Sequence, residues 1–195
     1  MKSNKNRILI YGLAIALLGF IWLTVDVVKL SSNSMFPTYK DGDYLISLNT
    51  KWFSPKPNDV VIFKKAGKLV IKRIVPIKNH RIYKYDESFF STNHLINKKR
   101  DEINAVEYIL PRKNQLIKGV EEIRKYDHFI ESETKKNLML RNGIYYLGIK
   151  EIKQYQFKNN FFFVKGDNKK KSSDSRKFGV IPRKDIVAKV VCKLW

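Results

Sequence analysis

An uncharged, mostly apolar run from Ile8 to Val25, Ile-Leu-Ile-Tyr-Gly-Leu-Ala-Ile-Ala-Leu-Leu-Gly-Phe-Ile-Trp-Leu-Thr-Val, constrains this chain most. With Asp26–Val28 at its edge it is long enough to cross a bilayer as one helix. A cleavable secretory signal would have a shorter apolar region, ~7–15 residues, and small residues at its cleavage site. The exit here, Val25-Asp26-Val27-Val28-Lys29-Leu30, is too bulky for that. The expectation is an uncleaved transmembrane anchor over residues 8–28. Lys2, Lys5 and Arg7 precede it and only Lys29 follows closely. That asymmetry predicts a cytoplasmic amino terminus, residues 1–7, and an extracytoplasmic remainder, residues 29–195.

The remainder, roughly 165 residues, falls in the range of one domain. The chain is 44% hydrophobic and 13% aromatic, enough to build a core rather than stay disordered. A net charge of +21 raises nucleic acid as a partner. The basic residues are spread along the chain, however, and lysine, the weaker choice for bidentate base reading, far exceeds arginine. A solvated basic surface, or one facing anionic membrane lipid, fits better, and no nucleic-acid partner is expected. Cys192 is the single cysteine, which excludes an internal disulfide and fits a buried thiol in a terminal strand.

Beyond residue 40, short β-type runs dominate: Tyr44–Leu48, Val60–Lys64, Leu69–Val75, Arg81–Tyr85, Phe161–Lys165 and Ile186–Lys193. Pro, Gly, Asn and Asp bound them, as they usually bound strands. Lys64-Lys65-Ala66-Gly67-Lys68 reads as a hairpin turn in which Gly67 takes a positive φ. Residues 86–158 differ, being rich in Lys, Glu and Asn. Val120, Ile123, Tyr126 and Ile130 recur there at near-helical spacing, which predicts a helix over Gly119–Ile130 in an inserted α/β cap. The fold class expected is mostly β: one transmembrane helix, then a β-rich domain carrying that cap.

Three separated blocks carry the candidate chemistry. Ser31-Ser32-Asn33-Ser34-Met35-Phe36-Pro37-Thr38 follows the apolar run directly, and a serine hydroxyl there needs a base beside it to act as a nucleophile. The three histidines, His80, His94 and His128, lie in polar or loop-like surroundings and read as surface residues. No metal-binding spacing is present, and neither a metal nor a cofactor is expected. Lys72 is the better base. In a strand over Leu69–Val75, Val70, Lys72 and Ile74 share one face. Buried between two β-branched neighbours, the ammonium would be disfavoured, and its pKa would fall from about 10.4 towards the ~7–8 that suits a general base. The alternatives are that Lys72 snorkels from an edge strand to water, or that Lys72 and Arg73 stand in the opposite register. The third block is Gly166-Asp167-Asn168, then Ser172-Ser173-Asp174-Ser175-Arg176.

In this order the blocks resemble the bacterial type I signal peptidases, which are serine–lysine proteases. The resemblance covers about 60 of the 195 residues. It implies that Ser34, before Met-x-Pro-Thr, is the nucleophile and that Ser32 is an oxyanion donor beside the backbone N–H of Ser34. Asp59-Val60-Val61-Ile62-Phe63 followed by Ile71-Lys72-Arg73 implies Lys72 as general base. Ser172 is implied to orient the Lys72 amine, and Asp174 and Arg176 to form a structural pair. Phe178-Gly179-Val180-Ile181-Pro182 is similar to the family's ending. Preproteins bearing signal peptides, cleaved after small residues, are the implied substrates, laid along an exposed strand edge beside Ser34 or residues 161–165.

Departures are Asn33 in place of a glycine, the absence of a Gly-x-Pro-Gly-Asp turn after Val75, and the lysine run Lys169–Lys171. Two other functions stay open: a specialised maturation or transfer peptidase with few substrates, and an inactive basic membrane-anchored adaptor. Trp52 and Phe53, between Lys51 and Lys56, are either core residues or a loop tip that enters a membrane interface.

Overall fold

The computed structural model describes residues 24–50, 54–85, 88–91 and 106–194, preceded by Arg7, residues 10–16 and Gly19. Its strands, in chain order, begin with β1 (Val25–Lys29), β2 (Tyr44–Asn49), β3 (Val60–Lys65) and β4 (Lys68–Ile74). Next come β5 (Arg81–Tyr85), β6 (Ser88–Ser91), β7 (Val106–Ile109) and β8 (Leu116–Lys118). Two helices, Val120–Lys125 and Asp127–Thr134, precede β9 (Leu138–Arg141), β10 (Ile144–Leu147), β11 (Lys150–Ile152) and β12 (Gln154–Gln156). The last are β13 (Phe161–Phe162), β14 (Val164–Lys165), β15 (Ile181–Pro182) and β16 (Ile186–Lys193), with a short helix, Ser175–Phe178, before β15.

The architecture is mostly β, as the sequence predicts. A six-stranded sheet in the order β1-β2-β16-β3-β4-β14 forms its centre, with every pairing antiparallel. Val60-Val61-Ile62-Phe63 is apolar without alternation because both faces of β3 are covered. Val60 and Ile62 join Met35, Leu45, Ile71 and Val190 in one cluster, while Val61 and Phe63 join Ile74, Val164 and Ile186 in another. The β3–β4 hairpin turns at Ala66-Gly67, with φ of 47° and 75°. Positive φ at both central residues is the turn geometry whose twist matches a two-residue hairpin.

The expected transmembrane helix does not stand. Among the described residues, no helix is long and apolar enough to cross a membrane. The end of the expected span is a strand: Val25 to Lys29 pair with Leu48 to Tyr44 on β2. Val25, Val27 and Val28 are β-branched and suit a pleated surface, and β1 joins the sheet as its edge strand beside β2.

Strands β5 to β12 build smaller sheets around a second core. Ile82, Ile117, Ile123, Phe129, Ile130, Phe157 and Phe161 are buried together there. The single predicted helix is two, because the chain leaves helical geometry at Tyr126, where φ is −115° and ψ is 12°. Ile123, Phe129 and Ile130 feed the same core from both pieces, so the apolar spacing runs through the break. Cys192 is exposed rather than buried, because a register shift between Val190 and Cys192 ends the alternation of β16. Trp52, Phe53 and His94 lie outside the described residues.

Candidate active site

Ser34 sits on a turn between β1 and β2 that the core holds from below. Met35, fully buried, inserts among Leu30, Leu45 and Ile71. Its carbonyl accepts from Tyr39 N at 3.0 Å, and Asn33 O accepts from Phe36 N at 3.2 Å. Asn33 needs no positive φ here. Its side-chain oxygen accepts from Asp41 N at 3.1 Å, so the residue that replaces a glycine fastens the turn to the segment leading into β2.

Lys72 reaches this turn from β4. Ile71 and Ile74 beside it on the strand are buried, and Lys72 itself is 3% exposed. The Lys72 Nζ donates to Ser34 Oγ at 2.7 Å and to Ile71 O at 2.9 Å. Burial lowers the Lys72 pKa below that of an ordinary lysine, against the opposing charges of Asp174 and Asp167. Ser32 Oγ lies 3.2 Å from Ser34 Oγ on the side open to solvent.

The third block closes over this pair. Asn168 N donates to Ser34 O at 3.0 Å, and Asn168 Nδ2 to Asn33 O at 3.0 Å. Asp174, with no exposed surface, takes Arg176 in a bidentate pair, Nε to Oδ1 at 2.8 Å and Nη2 to Oδ2 at 2.7 Å. The same carboxylate accepts from Gly166 N at 3.0 Å and from Ser172 Oγ at 2.8 Å, and caps the helix Ser175–Phe178 through Arg176 N. Burial raises the Asp174 pKa, but Arg176 and these donors outweigh it and hold it below the ordinary carboxylate range. The Ser172 hydroxyl therefore bonds Asp174, and the two hydrogen bonds of the Lys72 amine go to Ser34 and Ile71. Gly166 leaves room for this close packing: a Cβ there would meet the Ser172 side chain and Ser34 O.

A second ion pair escaped the sequence reading. Arg73 points to the opposite face of β4 from Lys72 and grips Asp167, Nε to Oδ1 at 2.9 Å and Nη2 to Oδ2 at 2.6 Å. Thr38 Oγ1 donates to Asp167 Oδ2 at 2.6 Å. Asp167 thus ties together β4, the serine turn and the third block. The signal was present in the alternation of β4, since a strand that aims Lys72 inward aims Arg73 at whatever covers its other face.

A hydroxyl held against a desolvated amine, roofed by a polar loop whose carboxylates are already paired, is equipped for serine-type hydrolysis. The chain belongs to the signal peptidase family, peptidase S26, whose family model matches residues 4–195. Membership places it among peptidases that act on signal peptides. It is similar to a thylakoidal processing peptidase of Arabidopsis thaliana, 26% identical over 86% of this chain and 41% of the relative. Signal peptidase I of Buchnera aphidicola is 27% identical over 84% of this chain and 67% of the relative. Signal peptidase IB of Staphylococcus aureus is 25% identical over 88% and 78%.

Proposed function

We propose that the protein is a serine endopeptidase that removes signal peptides from translocated preproteins after small residues, on the extracytoplasmic side of a bacterial membrane. The observation that carries this reading is the 2.7 Å contact between Lys72 Nζ and Ser34 Oγ at a lysine that is almost wholly buried. Burial favours the neutral amine, and a neutral amine can take the hydroxyl proton as Ser34 attacks the scissile carbonyl. The amine returns the proton to the leaving amino group. Water then attacks the acyl-serine with Lys72 again as base.

Ser32 Oγ and the backbone N–H of Ser34 are the proposed donors to the oxyanion. Removing a donor of this kind costs about 2.7–4 kcal/mol of transition-state stabilisation in well-studied proteases. Ser172 acts through Asp174, which fixes the loop over Lys72.

A preprotein strand fits the outer edge of β4. Residues 161–165 are themselves paired, Phe161–Phe162 with β15 and Val164–Lys165 with Ile74 and Arg73. β14 thus covers β4 only beyond Lys72, and Leu69–Ile71 remain for strand addition next to Ser34. The test is to incubate the purified chain with a signal-peptide-bearing precursor and sequence the products. One cut after a small residue, absent with Ser34→Ala, is the expected result. No cut with the wild type, or an equal cut with Ser34→Ala, overturns the proposal.

A further inference from the structure

We infer that Lys169, Lys170 and Lys171 select substrates with acidic side chains in the first few residues beyond the cleaved bond, an inference that rests on the peptidase reading above. The loop that carries them is fastened to the candidate nucleophile. Asn168 holds Ser34 O and Asn33 O, its side-chain oxygen accepts from Lys171 N at 3.1 Å, and Arg176 Nη1 donates to Lys169 O at 3.3 Å. The backbone at the three lysines is therefore fixed relative to the serine, while their side chains are exposed.

Among the described residues nothing nearby neutralises them. Between residues 161 and 179 the acids are Asp167 and Asp174, and each is taken by an arginine, Arg73 and Arg176. Among the described residues, Lys169–Lys171 have no acidic partner. Lys165 adds a further ammonium, half-buried on the same segment.

The route of the substrate brings it to this charge. A strand added along Leu69–Ile71 cannot continue past Lys72, because Lys165 and Val164 already pair with Arg73 and Ile74 there. The polypeptide beyond the scissile bond must rise over the loop that departs from β14, and that loop is 167–171. Carboxylates on this part of the substrate meet three long, exposed ammonium groups. Each such exposed pair is worth a few-fold at most and is weakened by salt. A lipid phosphate has the same charge, but the fastening of the loop to Ser34 and Asn33 favours a ligand registered to the scissile bond.

The test uses three precursors that differ only at the second to fourth residues after the cleaved bond, carrying Glu, Gln or Lys. With the intact wild-type chain at low salt, the Glu version should show a kcat/KM about three- to tenfold above the Gln version, mostly through KM. The advantage should shrink at about 0.5 M salt. In the K169S/K170S/K171S variant the Glu-to-Gln ratio should fall to about one, and in Lys170→Glu it should fall while the Lys version gains. A ratio near one in the wild type, or an unchanged ratio in the triple variant, overturns the inference. Loss of binding to anionic phospholipid vesicles in the triple variant with the ratio intact assigns the lysines to lipid and also overturns it. Failure to cut any of the three precursors would refute the peptidase reading itself, and this inference with it.

Discussion

Lys72 and Arg73 are consecutive on β4, yet each is committed to a different partner on a different face, Lys72 to Ser34 and Arg73 to Asp167. The strand's two-residue period separates a desolvated lysine from a fully paired arginine across a single peptide bond. The pairing matters chemically, because the Asp167 carboxylate that Arg73 neutralises is one of the two charges acting to raise the Lys72 pKa.

Substitution of Asp167 tests that electrostatic link. Asp167→Asn removes a negative charge near Lys72 and leaves Arg73 without its counter-charge, and both changes disfavour protonated Lys72. A general-base lysine must lose its proton to act, so activity rises with pH through its pKa. The rising limb of the kcat/KM profile should therefore move to lower pH in Asp167→Asn. A shift to higher pH would contradict the charge assignment.

Gly166→Ala probes the packing of the third block. The added methyl group meets the Ser172 side chain and Ser34 O, and neither can withdraw without disturbing the hydrogen bonds around it. Overpacking of this kind costs about 1–3 kcal/mol, so denaturant unfolding should show a lower midpoint. Precursor cleavage should fall at least tenfold. Wild-type activity in a stably folded Gly166→Ala chain would mean that the loop does not need to sit so close to Ser34.

His128 predicts a pH dependence of stability rather than of activity. Contrary to its expected place on the surface, its ring stacks on Phe89 at 4.7 Å, and its Nε2 is buried with no hydrogen-bond partner among the described residues. Burial lowers its pKa below the ordinary 6.5, with Lys84 and Lys65 adding to the effect and Asp127 and Glu131 opposing it. The unfolded chain therefore binds this proton more readily than the folded one. Stability is present above about pH 6.5 and is lost as the pH falls towards the folded pKa. His128→Leu should flatten that part of the stability–pH curve measured by chemical denaturation, and an unchanged slope would show that other groups cause it.

Much of the central sheet was legible because its strands are long and bounded by turn residues. Ile186–Lys193 has the expected bounds, Tyr44–Asn49 and Val60–Lys65 each run one residue past theirs, and the Ala66-Gly67 turn falls where Gly67 predicts it. Residues 86–158 were less legible because β8 to β12 are only three or four residues long. One local signal was overlooked: Asn142-Gly143, with φ of 49° and 78°, turns the β9–β10 hairpin, and Asn-Gly is the strongest short hairpin signal. The apolar start of the chain predicts one continuous span to residue 28. The cluster of β-branched residues Val25, Val27 and Val28 marks the strand that the length of the run obscured. At the candidate site, the family resemblance pointed to Ser34, Lys72 and Asp174 as candidates. It could not show that Ser172 bonds Asp174, nor that Thr38 and Arg73 converge on Asp167, because those contacts depend on how the loops close.

Ser34 and Lys72 should behave as one unit. Ser34→Ala and Lys72→Met should each lower kcat/KM by at least about 10³-fold while leaving the fold intact, and the double variant should be no worse than either. Additive losses would indicate that the two side chains act separately.

The most direct measurement is to capture the acyl-enzyme. Precursor and enzyme are mixed, quenched with acid within the first turnover, digested, and examined by mass spectrometry for a peptide that carries the signal-peptide fragment as an ester. The Ser34–Lys72 mechanism predicts that adduct on Ser34 in the wild type and its absence in Lys72→Met. An adduct on another residue, or undiminished acylation of Ser34 in Lys72→Met, would contradict it.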